Sequence, residues 1–302
     1  MVEEGLGFLL AAGAAVLFGI SRVFPRRGLL TTDVPVGILV SLMPTIPLVL
    51  ASNLLLGEPP RPLILQPEVL LLIIATAVLN VNLGRWLVYS SIKLVGAARA
   101  SQIVALEVPF TAFFGAVLLG ETLSVRVAIG TVIVFLGILF VALSRPSASP
   151  LRSTSGRDFG QGVALALAGA VLWSLAFITA RVSAQGWGSP VAAALLSLVL
   201  ATLIQGIIVA GLRGFPVISR VNRGELSALL ASGATTGIAT LLYFSALRSL
   251  PVVLASPILN LSPLVATVLS FLLIQKMERV NRMVVLATLL VATGSYLVIT
   301  ST

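Results

Sequence analysis

Apolar segments of about twenty residues recur along the chain, at 4–24, 34–56, 69–92, 96–119, 125–144, 159–181, 189–211, 225–247, 251–275 and 281–300. An α-helix needs about 20 residues to cross a hydrocarbon core of about 30 Å. Barrel strands would alternate apolar and polar residues over about ten positions, and these segments do not. The fold class is therefore an all-α integral membrane protein with ten transmembrane helices. Composition agrees. The chain is 58% hydrophobic and 10% charged, with mean hydropathy +1.12, against roughly 45–50% and 25% in soluble domains.

The net charge of +9 does not point to nucleic acid, because the arginines are scattered over short loops with no basic stripe or interleaved aromatics. Membrane topology and anionic headgroups account for them, so the lipid bilayer is the expected partner. The start "MVEE" is acidic, unlike a cleaved leader, so the first segment is expected to remain as a helix. With no Cys and no His, disulfides, thiolate chemistry and the usual zinc or haem ligands are excluded, and no cofactor or metal is called for. The phosphate-binding pattern Gly-x-x-x-x-Gly-Lys-Ser/Thr is missing too, which argues against direct ATP drive. An intramembrane enzyme would need a nucleophile with a base, a paired carboxylate or a metal. One acid at mid-membrane does not supply that, and no enzymatic activity is expected.

The longest polar stretch, "SRPSASPLRSTSGRD" (144–158), divides the chain into a first five-helix repeat (1–144), a linker (145–158) and a second five-helix repeat (159–302). At an offset of 155, "AVLF" (15–18) meets "AVLW" (170–173), Arg26 meets Arg181, Pro35-Val36 meets Pro190-Val191, and "AS" (100–101) meets "AS" (255–256). These matches fall at corresponding places in each unit, so the repeat is read as real. Because five is odd, the two copies cross the membrane in opposite directions. Inverted repeats are a transporter signature, with substrate held near the midplane where they meet.

Charges at the bilayer centre are costly and mark functional candidates. Two stand out: Arg85 in "NVNLGRW" and Glu107 in "ALEVP". Arg85 lies ten residues before Val95 and Glu107 twelve after it, so across a tight turn their depths differ by about 3 Å. A pair between them is feasible, and the two residues read either as a structural ion pair or as a substrate or coupling-ion site. A guanidinium in a cavity suits carboxylates or phosphates, which favours an amino acid or organic acid as cargo.

Helical spacing puts Asn82, Arg85 and Tyr89 on one face, with Trp86 beside them. Trp173, Gln205, Tyr243 and Asn260 are further polar or aromatic groups at membrane depth. Pro44, Pro47, Pro109, Pro251, Pro257 and Pro263 break or bend helices, and Pro109 and Pro263 are the favoured gating hinges. Glu107 falls opposite Ser262 if Val108 is counted as an insertion, and one extra residue in a helix commonly makes a π-bulge.

"LEVP" followed by "LLGETLSVRVAIG" (118–130), and in a degraded form "LSP" followed by "MERVNRMV" (277–284), resemble the repeat ending of the drug/metabolite transporter superfamily, EamA-type. The resemblance spans essentially the whole chain. It implies ten helices and carriage of a small solute, such as an amino acid, another metabolite or a drug, across the cytoplasmic membrane. Independently, Gly120 is placed to take the left-handed conformation that ends a helix, with Ser124 and Asn281 as caps for the next. Glu121 and Glu278 then belong to interfacial hairpins.

The expected function is secondary transport, as an exporter of an amino-acid-like or organic-anion metabolite by alternating access. The alternative is multidrug efflux or flipping of a lipid-linked head group. Expected partners are a small-molecule substrate and a coupling ion or proton; a homodimer is compatible with the fold. Loop cations place both termini outside by the positive-inside rule, whereas the family pattern places them in the cytoplasm. The two signals leave orientation open.

Overall fold

The computed structural model describes residues 2–55, 66–120, 125–143, 156–187, 190–246, 258–259, 261–273 and 282–299. Among them lie ten long helical segments: α1 (Val2–Gly28), α2 (Val34–Leu55), α3 (Pro67–Val95), α4 (Ala97–Leu119), α5 (Val125–Leu143), α6 (Gly156–Trp187), α7 (Pro190–Arg213), α8 (Arg223–Ala246), α9 (Ser262–Leu273) and α10 (Arg282–Ile299). Seven are long and apolar enough to span a bilayer. The apolar parts of α5, α9 and α10 are shorter.

The packing follows a pseudo-two-fold relation that sends each helix of the first repeat to its counterpart five places on. α1 packs on α8 as α6 packs on α3; α1 meets α9 as α6 meets α4; α2 meets α8 as α7 meets α3; α5–α10 and α2–α7 are self-related. One contact shows the relation at atomic level. The Ser174 hydroxyl donates to the Glu107 carbonyl at 3.0 Å, and at the related place a Cβ on Gly19 would stand 2.9 Å from the Ser262 carbonyl. Gly19 and Ser174 differ by the repeat offset of 155, and Glu107 and Ser262 are the pair that the sequence aligned across the extra Val108.

Hydrocarbon offers no hydrophobic drive between helices, so these contacts depend on small residues that let backbones approach. Gly233 in α8 lies so close to α2 that a Cβ would be 1.8 Å from the Ser41 carbonyl oxygen. Buried serines and threonines then turn their hydroxyls back onto their own helices or across to neighbours: Thr45 Oγ1 donates to the Ser41 and Gly233 carbonyls at 2.8 and 3.0 Å.

Three local features shape the interior. Gly96 (φ 91°) makes the tight α3–α4 connection alone, and Gly120 (φ 69°) ends α4 in the left-handed conformation expected of it. α3 widens to a π-helix over Val78–Gly84, "VLNVNLG", where the Arg85 amide bonds back to the Asn80 carbonyl. α4 is interrupted at Ala105–Leu106.

That last pair of observations corrects the expected bulge at Glu107–Pro109. The helix there tightens instead of widening: Leu106 N–H donates to Ile103 O at 3.1 Å and Val108 N–H to Ala105 O at 3.2 Å. Pro109 has no N–H to offer the Ala105 carbonyl four residues back, so Val108 takes that acceptor with a shorter ring. The widened turn sits in α3, where nothing in the alignment marked it.

Candidate functional site

Glu107 opens the second half of α4, directly after the break, and its side chain is buried. Its ionic partner is Arg22 of α1, with Arg22 Nη2 to Glu107 Oε1 at 3.8 Å. The Arg85–Glu107 pair that depth along the helices made feasible is not formed. Arg22 belongs to α1 and not to a loop: six residues before Gly28, it is carried about 9 Å inward from the helix end. Glu107 Oε2 and Arg22 Nη1 are both buried without a hydrogen-bond partner, so the pair is ionic but unsaturated. A buried group in that condition carries a desolvation cost that an added ligand could relieve.

From this pair a ring of polar contacts runs through five helices. The Glu107 carbonyl accepts from Ser174 of α6. Next to it on α6, Trp173 Nε1 donates to the Asn80 carbonyl at 2.9 Å, inside the π-helical turn of α3. That carbonyl also receives the Arg85 amide. Further along α3, Tyr89 Oη lies 3.5 Å from Ser232 Oγ of α8, and Ser232 Oγ donates at 2.8 Å to the carbonyl of Ser21, the residue beside Arg22. The ring closes α4–α6–α3–α8–α1, and it draws on both repeats.

Gly84 shows how tightly this is built, since a Cβ there would fall 2.5 Å from the Trp173 ring. Only glycine lets the indole lie on α3 with its N–H at Asn80.

Asn82, Arg85 and Tyr89 do not share one face as regular helical spacing suggested. The π turn rotates them apart, so they fan across three neighbours. Asn82 Nδ2 donates to Ala201 O and Gln205 Oε1 of α7, both at 3.0 Å. Arg85 Nη1 donates to Ser41 Oγ of α2 at 3.3 Å, and Tyr89 faces α8. Gln205 Nε2 continues to the Pro35 carbonyl of α2 at 2.8 Å, so Asn82 and Gln205 together tie α3, α7 and α2. Arg85 is half-buried and meets no carboxylate within ion-pair distance among the described residues.

Trp86 points elsewhere. With Asp33, Pro35, Ser90, Lys93 and Val209 it lines a cavity of about 400 Å³ between the start of α2, the end of α3 and the end of α7. Asn82 and Gln205 lie one helical turn inward from Trp86 and Val209, so their bond sits beyond the cavity's inner end. Tyr243 is half-buried in α8, eleven residues beyond Ser232, or about 16 Å along the axis from the ring. Of the two hinge candidates, Pro109 is buried at the α4 break, while Pro263 occupies the opening turn of α9 and its carbonyl accepts from Thr267 at 2.9 Å. Asn260, Pro251, Pro257, Glu121, Ser124, Glu278 and Asn281 lie outside the described residues.

The family model for the EamA-like transporter family matches the chain twice, over residues 5–143 and 160–300. This chain belongs to that family. One solved structure, described only as a crystal structure of a protein, has the same fold, with TM-score 0.64 at 17% identity over 96% of this chain and 97% of its own. No curated protein matches the sequence. For an EamA-like transporter the two matched repeats are the two halves that the ring of contacts joins, and the chain is a multi-pass membrane protein.

Arg22, Ser174, Ser232 and Ser41 were not singled out by sequence. Serines are common in tightly packed helices, but Arg22 carried a signal: the apolar run of α1 continues past it through Val23 and Phe24 before Arg26.

Proposed function

We propose that this EamA-like protein is a secondary transporter, working as an exporter in the cytoplasmic membrane, for a small metabolite that carries a carboxylate or similar anionic group. The observation that supports this most is the polar ring joining both inverted repeats at membrane depth, with an unsaturated Arg22–Glu107 pair in it and Arg85 beside it. Inverted repeats with an interrupted helix hold cargo where the halves meet. Glu107 follows the α4 break and its carbonyl is bonded to Ser174 of the second repeat, which supports this reading. Arg85, held by a single neutral hydroxyl, keeps a guanidinium that can take an anionic group in two-point fashion.

Charge is one-sided in this arrangement. The repeat counterparts of Arg22 and Glu107 are Phe177 and Ser262, so one copy supplies the ionic chemistry and the other supplies the wall. In the proposed cycle the pair opens when cargo or a coupling ion takes over one of its partners, and the first repeat then moves against the second about the α4 break. No enzymatic step is assigned.

The test is counterflow in liposomes with labelled amino acids, organic acids and cationic dyes. Uptake of an anionic or zwitterionic solute, reduced at least about tenfold by Arg85→Ala, supports the assignment. Full flux of that solute in Arg85→Ala overturns the role of Arg85, and uptake of cationic dyes alone replaces this reading with multidrug efflux.

A further inference from the structure

A second polar cluster lies at the end of the bundle where α1 joins α2 and α8 begins. Glu225, third residue of α8, is buried, and its carboxylate is fully occupied by the α1–α2 turn. Oε1 accepts the Thr31 amide at 2.9 Å and the Thr31 hydroxyl at 2.8 Å. Oε2 accepts the Thr32 amide at 2.8 Å and the Thr32 hydroxyl. The turn is tied in from the other side too: Lys93 Nζ at the end of α3 donates to the Thr32 carbonyl at 3.1 Å. Arg26 Nη1 donates to the Ile92 and Lys93 carbonyls at 2.9 and 2.5 Å. The ends of α1, α2, α3 and α8 are thus fastened together on one face of the membrane, and the only second-repeat side chain in these contacts is Glu225.

The repeat offset shows what stands at the opposite face. Thr31 corresponds to Gly186 and Thr32 to Trp187, while Glu225, third residue of α8, corresponds to Val69, third residue of α3, because the π turn of Val78–Gly84 adds one residue to α3. The contact exists there as well, since a Cβ on Gly186 would come 2.8 Å from Val69, but it is apolar. The Trp187 indole N–H is buried without an acceptor among the described residues. Among the described residues the two related contacts therefore differ in chemistry: four hydrogen bonds to one carboxylate on one side, van der Waals contact on the other.

We infer that Glu225 with Thr31 and Thr32 is a one-sided latch that fastens α8 to the α1–α2 turn on the face bearing the α1–α2, α3–α4 and α7–α8 connections, and so makes the two end states of the cycle unequal in energy. Symmetric closure would give equal states; a carboxylate saturated by charge-assisted hydrogen bonds stabilises one of them. This rests on the transporter reading, because only an alternating protein has a second state to disfavour. Lys93 and Arg26 hold the turn in place and do not contact the carboxylate in these bonds.

The test uses the Cys-free chain. Ser232, 1% exposed and seven residues inward from Glu225 on the same face of α8, is replaced as Ser232→Cys and labelled with an impermeant thiol reagent added to one side of oriented proteoliposomes. With the latch intact, labelling from the latch face is slow. Glu225→Ala should raise that rate at least about tenfold, as expected when several hydrogen bonds to a charged group are lost together. Val69→Ala, a truncation at the related contact, should leave it unchanged.

An unchanged rate in folded Glu225→Ala overturns the latch, as does an equal rise in Val69→Ala. If Glu225→Ala does not fold, the pair Thr31→Val with Thr32→Val removes two of the four donors and should give a smaller rise; no rise overturns the proposal. Loss of the transporter reading is distinguished by flux: if no class of solute is transported by the unsubstituted protein, that reading fails whatever the labelling shows.

Discussion

Removing the charge of Glu107 tests the centre of the site most directly. Glu107→Gln keeps the shape of the side chain and leaves the Arg22 guanidinium without its counter-charge. At the observed 3.8 Å and an effective dielectric of about 20, two unit charges attract by about 4 kcal/mol. That is comparable with the roughly 3–5 kcal/mol lost when one member of a buried pair is deleted. The expected loss is therefore about 3–5 kcal/mol. The partner variant Arg22→Met should cost a similar amount. The double variant, with no orphaned charge, should be more stable than the sum of the two, with a coupling of at least about 1.5 kcal/mol in a double-mutant cycle. The assay is thermal unfolding in detergent, followed by counterflow of the transported solute. Stability returns in the double variant while flux does not, if the pair also takes part in transport. Additive single effects, with coupling below about 0.5 kcal/mol, would show that the two charges do not act as a pair and refute the reasoning.

Gly233→Ala should destabilise by about 3 kcal/mol or more, because the new methyl meets a backbone oxygen that cannot swing away and the α2–α8 contact must part; Gly206→Ala, which has open space around it, should be neutral or stabilising, and melting temperatures in the same detergent compare them. Pro109→Ala returns an N–H to the Ala105 carbonyl and should regularise α4 across the break. Slower counterflow at normal expression is the expected result, whereas unchanged kinetics would remove Pro109 as a hinge.

Much of the architecture was legible in the one-dimensional pattern. Ten apolar segments, an offset of 155 and an odd number of helices per unit are statements about length, order and parity, and they determine all-helical spans and inverted repeats without any contact being known. Gly120 was legible for the same reason, since a helix end is a local event. Glu107 stood out as a candidate because a carboxylate in hydrocarbon is conspicuous wherever it lies.

Its partner was not legible. Arg85 and Arg22 were both near the right depth, and sequence gives depth along a helix but not azimuth around the bundle. The π turn of Val78–Gly84 added a rotation that no spacing rule contained, sending Asn82, Arg85 and Tyr89 to three different helices. The Glu225 latch depended on tertiary structure in the same way, because its donors sit more than 190 residues away and look like an ordinary polar turn. What the sequence determined alone was periodic and local; which helix faces which was decided by packing, where glycines and backbone carbonyls meet at distances set jointly by both halves of the molecule.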